Sequence, residues 1–345
     1  MENKKKILIK LFISTLYLSA FTFGGGYVIV TLMKKKFVDE YHWIEENEML
    51  DLVAIAQSAP GPIAVNGAIV VGYKLAGMTG VITAIIGIIA VLGLVYLGGW
   101  FLTGAIFLVS LLALLEYDKM LKHFGVHIYL KATAIATAVM VLASGFYSLK
   151  AFLAAIFLAF VLLLYLILGI KKENMTGLIY SAFGAVYFGV GFGCLALLRG
   201  SHELLSPVAV SMEPGIFLIL LALICTWASD SFAYLTGKAC GRHKMAPHIS
   251  PNKTVEGLIG GAVGCVILGV LVSFCAGFDL LEGFILSVMV AIMAPMGDLF
   301  ESFVKRACDI KDSGNILPGH GGMMDRFDSL LFVAPSLVAV LALLR

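Results

Sequence analysis

Charge is what this sequence has least of. Asp, Glu, Lys and Arg make up 13% of its 345 residues, against roughly 25% in an average soluble domain. So little charge cannot cover the surface of a water-soluble fold, and 60% of the residues are hydrophobic. The soluble globular class is excluded on that ground. Ten-residue segments of alternating polarity are also missing, which removes an outer-membrane β-barrel. The six cysteines (Cys194, Cys225, Cys240, Cys265, Cys275 and Cys308) form no CxxC pair and no metal-ligand spacing. Four of them lie in apolar runs, where a thiol serves as a small core side chain. The N-terminus is basic and then apolar but lacks a small-residue cleavage site, so that segment is expected to be retained.

What the chain does have is apolar runs of helix-spanning length, with a mean hydropathy of +1.00. They predict an all-α, polytopic transmembrane protein. Residues 7–33 form the first run, interrupted by Gly24, Gly25 and Gly26. A second run breaks at Gln57-Ser58-Ala59-Pro60-Gly61-Pro62. Broken helices in a membrane are tolerated where protein or a water-filled cavity covers the freed backbone, the device that transporters use at substrate sites. From residue 81 the character changes. Nine apolar segments follow, at about 81–98, 101–115, 132–146, 150–169, 177–199, 215–236, 257–276, 283–300 and 327–344. Loops on one side hold Lys119, Lys122, Lys131, Lys171, Lys172, Lys238, Arg242, Lys244, Lys253, Lys305, Arg306, Lys311 and Arg326; loops on the other hold Lys150 and at most Arg199. By the positive-inside rule the rich loops face the cytoplasm.

Two stretches break the hydrocarbon pattern with both charge signs. Residues 297–328 carry Asp298, Glu301, Asp309, Asp312, Asp325 and Asp328 against Lys305, Arg306, Lys311 and Arg326, with His320 among glycines. An acid at the edge of a membrane helix is a functional hypothesis by default. Asp298 and Glu301 share a helix face, and Asp325 and Asp328 repeat that spacing where the last helix begins, a position that favours anions. Asp298, Asp325 and Asp328 are candidate oxygen ligands for Mg²⁺, a hard cation that keeps waters and binds substrate phosphates. The plainer alternative is helix capping with salt bridges to Arg326 and Lys305. The second stretch begins at Asp230 and holds Lys238, Arg242, Lys244, Ser250, Lys253, Thr254 and Glu256 around Gly237 and Gly241. Basic side chains, a hydroxyl and a helix N-terminus after Pro251 form a candidate phosphate site. A lysine-rich loop can also be an orientation signal or a lipid head-group contact.

Two family resemblances attach to these residues. FTFGGGYVIV and AQSAPGPIAVNGAIVVGYKLAG, within residues 1–78, resemble the start of the chromate transporter family, which moves oxyanions, but as a truncated module. Over residues 81–345, the run Ser302-x-x-Lys305-Arg306, Lys311-Asp312-x-Gly314 and Pro318-Gly319-His320-Gly321-Gly322-x-x-Asp325-Arg326-x-Asp328 resembles the signature of the phosphatidate cytidylyltransferases. Asp230-Ser231-x-Ala233-Tyr234 and Ile249-Ser250-Pro251-x-Lys253-Thr254-x-Glu256-Gly257 are similar to that family's second block. This resemblance implies a reaction of CTP with phosphatidate to give CDP-diacylglycerol and pyrophosphate, with Mg²⁺ and room for a second cation, in a membrane-embedded homodimer.

On this reading residues 1–80 are a transporter-like segment and residues 81–345 the enzyme domain. Lys305, Arg306, His320, Asp325 and Arg326 are the expected catalytic residues. Asp230, Lys238, Ser250, Lys253, Thr254, Glu256 and Lys311 are expected to bind the CTP and phosphatidate phosphates. The partners are CTP, phosphatidate and membrane lipid, with no nucleic acid, and the site faces the cytoplasm of a multi-pass membrane protein. The chemistry fits the residue types independently. Phosphatidate is already ionised near neutral pH, so two anions must meet, and metal ions with fixed cations reduce the repulsion. The alternatives are an oxyanion transporter throughout, or an adventitious fusion of two reading frames near residues 78–81.

Overall fold

The computed structural model describes residues 77–168, 175–200, 213–310, 313 and 322–344, with scattered positions between 38 and 74. The two breaks at residues 24–26 and 57–62, on which the transporter-like reading rests, lie outside the described residues. Contacts divide the chain into two units, residues 1–97 with 318–320, and residues 98–317 with 321–345. In the first unit, ahead of helix α1 (Met78–Leu97), Ile44, Met49 and Val71 are buried and Lys74 pairs with Glu48. The division in contacts falls one helix later than the change of sequence character near residues 78–81.

The second unit contains α2 (Gly99–His123), α3 (Leu130–Ser144), α4 (Leu149–Leu168), α5 (Met175–Arg199) and α6 (Pro214–Cys240). A small antiparallel hairpin follows, β1 (Lys244–Ala246) with β2 (Ser250–Thr254), in the register Lys244 opposite Thr254 and Ala246 opposite Ser250. Then come α7 (Val255–Ala276), α8 (Leu280–Ala307), the single turn α9 (Met324–Phe327) and α10 (Leu330–Leu343). Among the described residues, each of the nine expected apolar segments is a helix. Six helical stretches among the described residues are long and apolar enough to cross a membrane, the last being residues 324–343. The protein is therefore a polytopic helical membrane protein. The hairpin is an addition that helix-only reasoning did not contain.

Helix ends follow local chemistry. Pro214 opens α6, where its missing N–H costs nothing. Thr254 caps α7, its Oγ1 accepting from the Gly257 N–H at 3.1 Å. Gly277, at φ 69°, ends the same helix in the left-handed conformation. Asp279 caps α8 through the Glu282 N–H at 2.8 Å.

The core is organised on α5, the most buried of the spanning helices. It packs against α2, α3, α4, α6 and α10. Its composition explains this. A Cβ on Gly184 would meet Tyr117, one on Gly189 would meet Met140, one on Gly191 would meet Leu331 and one on Gly193 would meet Phe152, each within 3 Å. Small residues let neighbouring backbones approach, which is how membrane helices associate without a hydrophobic drive between them. On the other side α6, α7 and α8 pack together.

Candidate active site

The polar residues collect where the C-terminal ends of α2, α6 and α8 meet the hairpin and the start of α10. Gly297 makes one of these approaches possible. A Cβ there would lie 2.4 Å from the Asp328 carbonyl oxygen and 2.9 Å from the Ser329 Cα. Only a glycine lets α8 pass this close, and the next residue along is Asp298.

Lys253, from β2, pairs with the Asp298 carboxylate across 45 residues of sequence, with side-chain exposures of 29% and 31%. The other Asp298 oxygen accepts from the Ser302 hydroxyl at 3.4 Å. Asp230 and Asp328 lie within electrostatic reach of Asp298, and Lys253 acts on both. Asp328 also accepts its neighbour's N–H, from Ser329, at 2.5 Å. Lys253 thus touches Asp298 alone, with Asp230 on α6 and Asp328 between α9 and α10 within electrostatic reach, and Lys305 acts on Asp328 as well.

A second knot lies one helical turn further along α8. Lys305 Nζ stands 3.0 Å from Glu301 Oε2 and 2.6 Å from Asp325 Oδ1. Glu301 is 1% exposed. Asp325 Oδ2 accepts the Ser313 N–H at 3.1 Å, the Ser313 hydroxyl at 2.9 Å and the Gly322 N–H at 2.6 Å. The helix carries these groups because it continues past its apolar end. Sequence reasoning stops the segment at residue 300 and assigns Lys305 and Arg306 to a loop, whereas α8 runs to Ala307. The Glu301–Lys305 pair, one turn apart, supports the extension.

The remaining expected residues fall as follows. Arg306 is exposed and donates to two carbonyls, Ile249 at 3.5 Å and Ile310 at 3.3 Å, linking the end of α8 to the hairpin. Arg326 sits half-buried on the turn α9. Lys238 is exposed, 5.9 Å from the Tyr234 ring centroid. Ser250 opens β2 opposite Ala246. Thr254 is buried, its hydroxyl engaged as the α7 cap. Glu256 accepts the backbone N–H groups of Arg242 at 3.1 Å and His243 at 3.2 Å, and pairs with His243 Nδ1 at 2.5 Å. These contacts make Glu256 a fastener of the hairpin's first strand, a task that suits a carboxylate better than holding a phosphate. His320 and Lys311 lie outside the described residues.

The expected metal ligands regroup. Spacing puts Asp325 with Asp298 and Asp328. In the structure Asp325 is taken up by Lys305, Ser313 and Gly322, and Asp230 stands with Asp298 and Asp328 instead. The reason is local, since two backbone amides and a hydroxyl converge on one Asp325 oxygen. Among the described residues no three His, Cys, Asp or Glu side chains close into a ready ion cage. The donor set still fits a hard cation. Asp230, Asp298 and Asp328 are oxygen donors of which only Asp298 is paired with a lysine, Lys253, and Mg²⁺ commonly uses one or two carboxylates while waters and substrate phosphates complete its octahedron.

One residue escaped the sequence reading altogether. Glu116, on α2, is fully buried, and its Oε2 accepts the Met324 N–H at 3.0 Å across 208 residues. The expected apolar segment ends at residue 115, just short of Glu116, but α2 runs on to His123. The available signal was its position directly against an uninterrupted apolar run. Cys308, just beyond α8, is also buried rather than loop-exposed, and burial raises its thiol pKa above the usual value.

Known proteins align with this arrangement. A sequence model of the cytidylyltransferase family matches residues 78–344. The phosphatidate cytidylyltransferase of Staphylococcus haemolyticus is 34% identical over 264 residues, covering 74% of this chain and 95% of that protein. That of Synechocystis is 33% identical over 275 residues, covering 74% and 93%. That of Bacillus subtilis is 38% identical over 191 residues, covering 55% and 67%. The match takes in the hairpin, both lysine-carboxylate knots and the turn before α10, and on its extent this chain belongs to the cytidylyltransferase family.

Proposed function

We propose that the chain transfers a cytidylyl group from CTP to phosphatidate, forming CDP-diacylglycerol and pyrophosphate. The observation that carries this reading is the pair of lysine-carboxylate knots, Lys253 with Asp298 and Lys305 with Asp325, at helix ends of a membrane bundle. A phosphatidate phosphate oxygen attacks the α-phosphorus of CTP, a new P–O bond forms, and the bond to the β-phosphate oxygen breaks to release pyrophosphate. No general base is needed, because the attacking oxygen is already ionised. The work left to the protein is to position two polyanions and offset their charge.

Lys253 and Lys305 suit this task, each held in place by a carboxylate rather than free in solvent. Asp230, Asp298 and Asp328 would hold Mg²⁺, which when bound would neutralise phosphate charge. Arg306 and Arg326 supply further fixed cations near the same helix ends. The lysine- and arginine-rich loops support a cytoplasmic site, where CTP is at hand and the diacylglycerol tails stay in the bilayer. The family resemblance supports a homodimer. The transport reading draws no support from the described residues.

The test is CTP-dependent formation of CDP-diacylglycerol by the purified full chain in phosphatidate micelles. Turnover that requires a divalent cation is expected. A folded chain that releases no pyrophosphate from CTP and phosphatidate, at any Mg²⁺ concentration, would overturn the assignment.

A further inference from the structure

The turn α9 presents Asp325 and Arg326, yet it begins with no side-chain cap of its own, because Met323 occupies the cap position. Its first amide, that of Met324, is buried and donates to Glu116 Oε2 at 3.0 Å. The same carboxylate lies against the backbone just upstream. A Cβ on Gly322 would come 2.4 Å from Glu116 Oε2 and 1.9 Å from the Ser313 hydroxyl. The Gly322 N–H in turn donates to Asp325 Oδ2 at 2.6 Å. Glu116, the Gly322 backbone, Ser313 and Asp325 are therefore stacked in one closed set of contacts. On the far side Asp325 meets Lys305 at 2.6 Å.

We propose that Glu116 is a positioning residue of the transfer site. It supplies from α2 the acceptor that α9 lacks, and so fixes the turn that aims Asp325 at Lys305. The inference rests on the reading of this site as a cytidylyltransferase centre. Glu116 does not touch the reacting groups. Its effect runs through the Met324 amide, and what it needs for that role is an acceptor oxygen at the right depth. A glutamine in its place keeps both the acceptor and the volume, while a methionine keeps the volume alone. A buried donor left without an acceptor shifts until it finds one, and small displacements of catalytic groups are costly in rate.

The experiment compares wild type, E116Q and E116M as purified full chains, with two readouts. The first is steady-state CDP-diacylglycerol formation. E116M is expected to lose at least about tenfold in kcat with KM for CTP changed by less than about threefold, and E116Q to stay within about threefold of wild type in both. The second is amide hydrogen exchange in the peptide spanning residues 322–328, expected to be faster in E116M and unchanged in E116Q. Wild-type turnover is measured first. Its absence refutes the enzyme reading, whereas the exchange comparison still decides whether Glu116 holds the turn. Normal kcat in a folded E116M overturns the proposal, and so does an equal loss in both variants, which would assign the effect to charge rather than to the acceptor. If E116M does not accumulate, E116Q decides alone, and a kcat loss beyond about threefold in it overturns the proposal.

Discussion

Replacing Lys305 by methionine removes one ammonium from between two carboxylates and leaves the side-chain volume nearly unchanged. Lys305 Nζ lies 3.0 Å from Glu301 Oε2 and 2.6 Å from Asp325 Oδ1, with 14% of the lysine side chain exposed. The two acids differ in what remains to them. Asp325 keeps three donors, the Ser313 amide and hydroxyl and the Gly322 amide. Glu301 keeps only a hydrogen bond with Asp325, its other oxygen, Oε1, being buried without a hydrogen-bond partner. Breaking a buried pair by removing one member costs about 3–5 kcal/mol, a large part of a total stability of roughly 5–15 kcal/mol. K305M should lose about that much, because the two adjoining acids are left facing each other without the ammonium between them. The double variant K305M/E301Q should recover about 1–2 kcal/mol, since Asp325 then faces a neutral amide that can donate to it instead of a second acid. The measurement is unfolding in mixed micelles of increasing SDS content, followed by tryptophan fluorescence and run without CTP so that substrate binding does not contribute. A loss below about 1 kcal/mol in K305M would class the contact with exposed surface pairs. A double variant no more stable than K305M would show that Glu301 does not depend on the lysine. Either result would refute the geometry of this knot.

Three other substitutions or labels probe separate parts of the site. Gly297→Ala should destabilise the chain by about 1–3 kcal/mol and cut activity, because the new methyl meets the backbone of Asp328 and Ser329 rather than a movable side chain; unchanged stability in the same SDS titration would mean α8 and α10 are further apart than described. Thr254→Ser should retain the α7 cap while Thr254→Ala loses about 1 kcal/mol, and a greater loss of CTP affinity than of stability in Thr254→Ala would restore the phosphate-binding role expected for this hydroxyl. A membrane-impermeant maleimide should label exposed Cys240 quickly and buried Cys308 slowly in the native chain, with Cys308 reacting only after SDS unfolding; equal rates would contradict the burial of Cys308.

How much of this was legible beforehand depends on the range of the contact. The nine apolar segments were readable because a span needs only length and composition, and each is a helix among the described residues. Helix ends were harder. Residues 116 and 300 look like boundaries because charge begins there, yet α2 and α8 continue to His123 and Ala307. The extension of α8 is stabilised by Lys305 pairing one turn back to Glu301, so charge density marked a site and not a loop. The Lys253–Asp298 and Lys305–Asp325 pairs join residues 45 and 20 apart. Both members of each were identifiable as candidates, but not which acid faces which lysine. Asp325 shows the limit most clearly. Its spacing to Asp328 suggested a shared ion, and what redirects it is a pair of backbone amides, from Ser313 and Gly322, that no side-chain pattern reveals. Glu116 was out of reach for the same reason, since its partner is a main-chain N–H far along the sequence.

The location of the site follows from the same energetics. Within the bundle, α5 packs through glycines and aromatic rings, and its cation, Arg199, stands at the helix end, paired with Glu213. The acids of the site stand where helices end and unpaired amides, a hairpin and lysine side chains converge to receive them. Helices of spanning length put those ends at the boundary between hydrocarbon and water. That boundary is also the one place where a lipid phosphate, tethered by its acyl chains, can meet a nucleotide confined to water. A transferase joining the two needs fixed cations at that depth, and each of the two lysines there has an anionic partner holding it in place. The arrangement has a consequence for substrate entry. Lys253 and Asp298 are each about 30% exposed, while Lys305 and Asp325 are at 14% and 12%. On the proposed function, the outer, more exposed pair would be the one a polyphosphate arriving from water engages, and the inner, more buried pair the one expected to stay assembled. That reading would give the hairpin-borne lysine the task of capture and the helix-borne one that of holding the transferring group.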